Sequence, residues 1–231
     1  MLADTERLLD NPVWSCLTTR HAHLALGGHT ARRYPPDISP ITGFPDSGPV
    51  DAAALEALVE VGDDMGAVGP YAPVLPSNWQ TLLEERVTQM IRSEPSPLAE
   101  GDVHVVVLGK ADVADMSALV ELTQPGPFRS RTIELGRFIG IREGGRLVAM
   151  AGERMWIGAC REVSGVCTHP DAQGRGYARA LTGRVVNRMR GDGQIPILHV
   201  LSTNLRAIEM YRTLGFVSRK EFGLLHARRR G

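Results

Sequence analysis

Cysteine is scarce in this chain: Cys16, Cys160 and Cys167 are the three among 231 residues. No two form a C-x-x-C pair and none has metal-ligand spacing with a histidine, which argues against a disulfide framework and against a bound metal, and fits a reducing compartment. Neither sign of charge prevails, with 26 basic and 26 acidic residues. No global field therefore draws the chain to nucleic acid or to an anionic membrane. No apolar run approaches the roughly 18 residues of a membrane span, and the opening Met-Leu-Ala-Asp-Thr-Glu-Arg lacks the apolar core of a secretory signal. A cytoplasmic protein is expected. Two common nucleotide loops are missing as well, the dinucleotide fingerprint G-x-G-x-x-G and the P-loop G-x-x-x-x-G-K-[ST].

What is present is apolar content for one large core or two small ones, at 43% of residues, and one stretch with chemistry in it. The run Arg161 to Thr168 reads as a buried strand, stopped by His169-Pro170-Asp171. A helix follows, with Leu181, Val185 and Met189 at helical spacing. Arg175 and Arg179 crowd its start, where positive charge opposes the helix dipole. They make sense if an anion sits there, because glycines before a helix N-terminus let a phosphate approach unpaired backbone N–H groups.

The spacing Gln173-x-x-Gly176-x-Ala178 resembles the pyrophosphate loop of the GNAT acyltransferases. After a second apolar strand, Ile195 to Ser202, the chain reads Asn204-x-x-Ala207-x-x-x-Tyr211-x-x-x-Gly215-Phe216, with a natural helix cap at Asn204 and a stop at Gly215. This is similar to the second GNAT motif, in the right order and spacing. The resemblance covers residues 101 to 231. The Glu-Val-Ser-Gly-Val-Cys-Thr-His-Pro run and the two-part layout look closest to the glycine N-acyltransferase-like subgroup.

The resemblance implies an α/β (α+β) GNAT fold with a mixed sheet and an N-acetyltransferase that moves an acetyl group from acetyl-CoA to a primary amine of a small molecule or amino acid, by direct attack in a ternary complex. Gln173, Gly174, Arg175, Gly176, Tyr177, Ala178 and Arg179 would hold the pyrophosphate, main-chain groups of Val166, Cys167 and Thr168 the pantetheine amides and the oxyanion, and Asn204 the pantetheine arm. Acyl transfer to an amine needs an uncharged nitrogen, a stabilised oxyanion and a proton for the leaving thiolate. Removing a proton from a lysine-like amine at pH 7 costs roughly 4 to 5 kcal/mol. Glu162, eleven residues before Gln173, stands where such enzymes carry a general base, with Glu153 and Glu134 in reserve. Tyr211 is the expected acid, since a phenol is still protonated where a thiol of pKa about 8.5 is not. Strand alternation places Glu162, Ser164 and Val166 on one face and Val163, Gly165 and Cys167 on the other. Phe128, Arg129 and Arg131 fall in the loop that lies over the acceptor in such enzymes. Two other readings stay open: an acyl-CoA-binding module without chemistry, and a protein or peptide acetyltransferase. Acetyl-CoA and the amine are the expected partners of a monomer or homodimer.

The chain divides by texture. Residues 1–94 form a proline-rich N-terminal α/β domain, 95–102 a linker bearing Pro95 and Pro97, and 103–231 the GNAT domain. In the first part, Val13 to Thr18, His23 to Leu26 and Thr30 to Tyr34 read as strands, Val50 to Val61 as a helix, Met65 to Tyr71 as a strand, Asn78 to Glu84 as a short helix and Arg86 to Ile91 as a last strand. The order is that of a degenerate GNAT copy, in which Ile41 to Pro49 carries no Q-x-x-G-x-A. In the second part, Val103 to Leu108 reads as a strand, Asp112 to Leu122 as a helix, and Phe138 to Arg142 and Arg146 to Arg154 as a hairpin about Gly144-Gly145. Phe216 to Arg219 and Phe222 to His226 read as a closing pair.

Overall fold

The computed structural model describes residues 3–45, 50–70 and 73–231. In chain order the elements are α1 (Ala3–Asp10), α2 (Pro12–Thr18), β1 (Leu26–Gly27), β2 (Arg32–Arg33), β3 (Ile41–Gly43), α3 (Ala52–Leu58), β4 (Asp64–Gly69), β5 (Trp79–Ile91), β6 (Val106–Leu108), α4 (Val113–Thr123), β7 (Phe138–Glu143), β8 (Arg146–Ile157), β9 (Cys160–Thr168), α5 (Tyr177–Gly191), β10 (Ile195–Leu201), α6 (Leu205–Thr213) and β11 (Val217–Arg229). All strands join one mixed sheet of order β1-β2-β3-β4-β11-β5-β10-β9-β8-β7-β6.

The two halves of the chain are woven together at its centre. β5 enters between β10 and β11, antiparallel to both, and β11 lies between β5 and β4. Val87–Ile91 of β5 serve β10, while Gly223–Arg228 of β11 serve β4, and the exchange is centred on Phe222 opposite Val87 and Gly223 opposite Arg86. On either side the order is the same. β1-β2-β3 and β7-β8-β9 are antiparallel runs, and each ends in a parallel step, β3 with β4 and β9 with β10.

Adjacent residues on one strand separate the layers. Leu198 and Met90 face the cluster built by Leu181, Val185 and Met189 of α5 with Ile208 and Tyr211 of α6. Ile197 and Ile91 face the opposite cluster, built by Leu9 of α1 and Val13, Cys16 and Leu17 of α2. Helix α4 covers Met150 and Cys167, and α3 covers Met65, Ala67 and Leu225.

Several expectations need correction. Val13 to Thr18 is helical: Pro12 presets the first turn, and Val13, Cys16 and Leu17 recur at helical spacing on a buried face. The pieces about His23 and Thr30 shrink to the two-residue strands β1 and β2. Asn78 to Glu84 is extended and continuous with Arg86 to Ile91, because the ladder to β11 runs from Trp79 to Ile91 and outweighs local propensity. Phe216 to Arg219 and Phe222 to His226 are likewise one strand, interrupted by a bulge at Arg219, and its partner is β5 instead of itself. Helix α3 is shorter than Val50 to Val61 and is capped by Asp51, which accepts from the Ala54 N–H. β4 ends at Gly69; Tyr71 lies outside the described residues, as do residues 46–49 of the Ile41 to Pro49 segment.

Residues 95–102 are mostly exposed but anchored at several points. Arg92 donates to the carbonyls of Leu214, Glu94 and Ser96, Asn187 of α5 brackets the backbone of Leu98, and Leu98, Val103 and Val105 lie on the α5 cluster.

Candidate active site

β9 and β10 pair only at Cys160, Arg161 and Glu162, opposite Ile195, Pro196 and Ile197. Beyond that point β10 turns to β5, and among the described residues the edge of β9 from Val163 to Thr168 has no strand on that side. Its opposite edge pairs with β8 across a register break, in which Met150 faces Cys167 and Gly152 faces Ser164. Gly165 sits in that bulge at φ 62, a left-handed geometry that glycine adopts without strain. A Cβ there would also meet Phe138 at 3.1 Å. The extra residue shifts the side-chain phase. Val163 and Val166 both pack on the α5 side while Cys167 packs under α4. The simple alternation that placed Val166 with Glu162 is therefore wrong beyond Ser164, and a strand bulge is what periodicity cannot register.

At the far end of β9 the chain turns through Gly174 (φ 79) and Gly176 (φ 78) into α5. A Cβ at either glycine would meet nothing within 4 Å, so the space above the loop is open. The N–H groups of the first turn of α5 face that space. Arg175 lies on the loop, ion-paired to Glu143 at 2.8 Å, and Tyr177 donates to the same carboxylate at 2.6 Å. Arg179 reaches Thr213 of α6 at 2.7 Å, and Arg206 reaches Gln173. Ala178 lies in the first turn of α5. Thr168 Oγ1 is buried without a hydrogen-bond partner at the end of the open strand edge. An orphaned hydroxyl beside a glycine-lined gap fits a polar ligand arm running along β9 to a phosphate over the loop.

Asn204 caps α6, accepting from the Ala207 N–H at 3.1 Å. Tyr211, one helical face further on, is 8% exposed. Among the described residues its hydroxyl has no hydrogen-bond partner, and burial pushes its pKa above the ordinary phenol value. Burial also raises the Cys167 thiol to about 11, so it is not a ready nucleophile.

Glu162 is the least available of the expected groups, at 1% exposure. Arg154 holds it through two hydrogen bonds of 2.8 Å, His199 Nδ1 lies 2.8 Å away, and the Met155 N–H donates at 3.3 Å. Burial alone would raise this carboxyl, but Arg154 and His199 outweigh it and hold the pKa far below the usual carboxylate range. A carboxylate so engaged is a weak proton acceptor. The reserve groups are no freer: Glu153 is shared by Arg161 (3.2 Å) and Arg188 (2.6 Å), and Glu134 is paired with Arg131 at 2.7 Å. Arg129 and Arg131 of the acceptor loop bind Asp64 and Asp37 of the first half, and Phe128 packs edge-on against Phe138. The network around Glu162, which includes His199 and Gln89, escaped sequence reasoning; the one signal was a histidine in an otherwise apolar strand.

The model of the Acetyltransferase (GNAT) family matches residues 114–216. A structure from Novosphingobium aromaticivorans, itself assigned to the GNAT acetyltransferases, is 34% identical over 97% of this chain and 99% of its own, with a TM-score of 0.88. A GCN5-related N-acetyltransferase from Kribbella flavida shares the fold at 15% identity, TM-score 0.58, over 100% and 97% of the two chains. A GCN5-related N-acetyltransferase-like protein from Streptococcus suis does so at 13% identity, TM-score 0.52, over 89% and 82%. No curated protein matches. The 34% identity over nearly the whole of both this chain and the Novosphingobium protein makes this protein a member of the GNAT acetyltransferase family.

Proposed function

We propose that the protein transfers an acetyl group from acetyl-CoA to the primary amine of a small molecule or amino acid, by direct attack in a ternary complex. The observation that carries this reading is the parting of β9 from β10 after Glu162, with Tyr211, whose hydroxyl has no partner among the described residues, in the cluster that includes Val163 and Val200 of the two strands. The freed backbone of Val166, Cys167 and Thr168 supplies donors for the thioester arm and the oxyanion, and the bulge at Gly165 turns them outward. Gln173 to Arg179 hold the diphosphate, for which Arg175 exchanges Glu143. Asn204 both caps α6 and borders the arm.

In the transfer, the amine nitrogen forms a bond to the acyl carbon, the carbon–sulfur bond breaks, and the departing thiolate takes a hydrogen bond and then a proton from Tyr211, which the phenol regains from solvent. A phenol raised by burial keeps its proton at every physiological pH, which suits a donor. Glu162 acts as a fixed anion at the apex of the gap; the amine's proton leaves to water. The rate per encounter then rises with pH toward the acceptor's own pKa.

We also propose that residues 1–94 are a degenerate copy of the same fold, continuous through 95–102 with the catalytic part at 103–231, and that the chain is akin to the glycine N-acyltransferase-like subgroup. The matching strand order on both sides of the β5/β11 exchange supports the copy. In the first half the place of the phosphate loop precedes a helix capped by a carboxylate, Asp51, and a Cβ at Gly43 would meet the Trp14 backbone at 2.8 Å, so a diphosphate is repelled and α2 packs close on β3.

The engagement of Glu162 gives one point to the rival reading, an acyl-CoA-binding module without chemistry. Release of free thiol from acetyl-CoA with a panel of amines, run with Tyr211→Phe, decides. Turnover lost in the variant supports transfer. A melting temperature raised by acetyl-CoA without turnover supports the module.

A further inference from the structure

The face of the central strands that carries Glu162, His199 and Gln89 is curled. Met155 and Ile157 of β8 share one apolar cluster with Ile38 and Ile41 of the first half, closed around Leu9, Val13 and Leu17 of α1 and α2. The loop after α4 joins the two rims of this hollow: Phe128 packs on Phe138 of β7, and the next residue, Arg129, pairs with Asp64 of β4 at 3.2 Å. Alternation places Leu83, Glu85, Val87 and Gln89 of β5 on the hollow side, with Leu201 of β10 opposite Val87 and Leu224 of β11 opposite Glu85. Gln89 lies under α1, where it donates to the Leu9 carbonyl. Toward the start of β5 the floor is open: Leu83 is 41% and Leu201 39% exposed, and Leu224 is half-buried.

Glu85 stands among these leucines, half-buried, with no hydrogen-bond or ion-pair partner among the described residues. Every other buried or half-buried carboxylate among them, Asp63 apart, is ion-paired. On the hollow side, Arg154 neutralises Glu162, Arg129 and His226 neutralise Asp64, and Arg219 and Lys220 neutralise Asp10. A carboxylate set among apolar side chains without a countercharge is costly, and a cationic ligand relieves that cost.

We propose that the acceptors are linear α,ω-diamines, with Glu85 binding the distal ammonium while the other nitrogen attacks; this rests on the acyl-transfer reading above. The topology sets the reach. Glu85 lies one strand across from Leu201 and two residues further along, and the acyl carbon, held by Val166 to Thr168, lies about one strand spacing to the other side of β10. At about 4.8 Å per strand and 3.3 Å per residue, the separation is about 12 Å. An attack distance of about 3.3 Å and an ion-pair contact of about 2.8 Å leave about 6 Å between the two nitrogens. An extended chain advances about 1.2 Å per bond, so five bonds, those of tetramethylenediamine, fill that interval. Its methylenes then cross the exposed side chain of Leu201. A monoamine of the same length leaves Glu85 without a countercharge, and an ω-amino acid sets a second carboxylate against it.

The test compares kcat/KM for tetramethylenediamine, butylamine and δ-aminovalerate, acceptors of matched length, in the wild-type protein and in Glu85→Gln. A wild-type preference of about 30-fold or more for the diamine over butylamine, cut below about 5-fold in Glu85→Gln through KM, is the expected result. Glu84→Gln, one residue along and on the opposite face of β5, should keep the wild-type preference. Glu85→Lys should reverse the order and favour δ-aminovalerate over the diamine. Equal use of diamine and butylamine by the wild type, or an unchanged preference in Glu85→Gln, overturns the proposal. Calorimetry of tetramethylenediamine binding with CoA present reads the site without chemistry. If no acceptor turns over, the acyl-transfer reading fails; binding that weakens at least about tenfold in Glu85→Gln then still upholds the site, and absent or unweakened binding overturns it.

Discussion

Glu162 of β9 and His199 of β10 meet at 2.8 Å: Glu162 stands on the last rung before the strands part, opposite Ile197, and His199 lies two residues beyond it. The carboxylate at the apex of the gap is thus a strut between strands that diverge immediately beyond it.

Removing that strut should be felt in stability. Arg154→Met leaves Glu162 buried with its main partner gone, and breaking one side of a buried pair costs about 3 to 5 kcal/mol. Denaturant midpoints of Arg154→Met and of the double variant Arg154→Met/Glu162→Gln check this, with the double variant expected to recover part of the loss.

Tyr211→Phe removes one hydroxyl that has no partner among the described residues, so stability should change by less than about 1 kcal/mol. Acyl transfer should fall by about 100-fold or more if the hydroxyl serves the leaving thiolate. Thiol-release rates and a melting curve on the same preparation separate the two effects.

Gly176 stands at φ 78 at the start of α5. Gly176→Val puts a branched side chain into a left-handed position and into the open space above the loop. A loss of about 1 to 2 kcal/mol in stability is expected. Acetyl-CoA affinity, read by calorimetry, should drop by at least tenfold.

His21 is buried against Tyr34, and burial lowers its pKa to about 4. The unfolded chain, with a histidine pKa near 6.5, binds the proton first as the solution is acidified. The stabilisation is complete above about pH 6.5 and is lost as pH falls toward 4, with a full effect of about 3 kcal/mol. Unfolding free energies of wild type and His21→Gln between pH 7 and 4 should converge by that amount.

Local chemistry made the glycine loop, the Asn204 cap and the Gly215 stop readable, because each depends on residues within one turn of the other. The paired halves of β5 and β11 were not. Arg86 and Glu221 are 135 positions apart, and neither segment reveals its partner. Glu162 was found by its spacing, but its environment depends on Arg154 from β8 and His199 from β10, which only the assembled sheet brings together. The bulge at Gly165 hid in the same way, since a single glycine in a strand reads equally as an ordinary strand residue.

The exchange of β5 and β11 bears on what the chain can lose. A polypeptide of residues 103–231 would leave β10 without its neighbour and β11 without either, exposing two long edges of unpaired backbone. Such a fragment should be insoluble alone and rescued by co-expression with residues 1–98, which chromatography of the complex would show. On the proposed reading of residues 1–94 as a degenerate copy, that half can lose its chemistry but not its backbone: it serves the half with the glycine loop as a chaperone, covalently supplied with every copy.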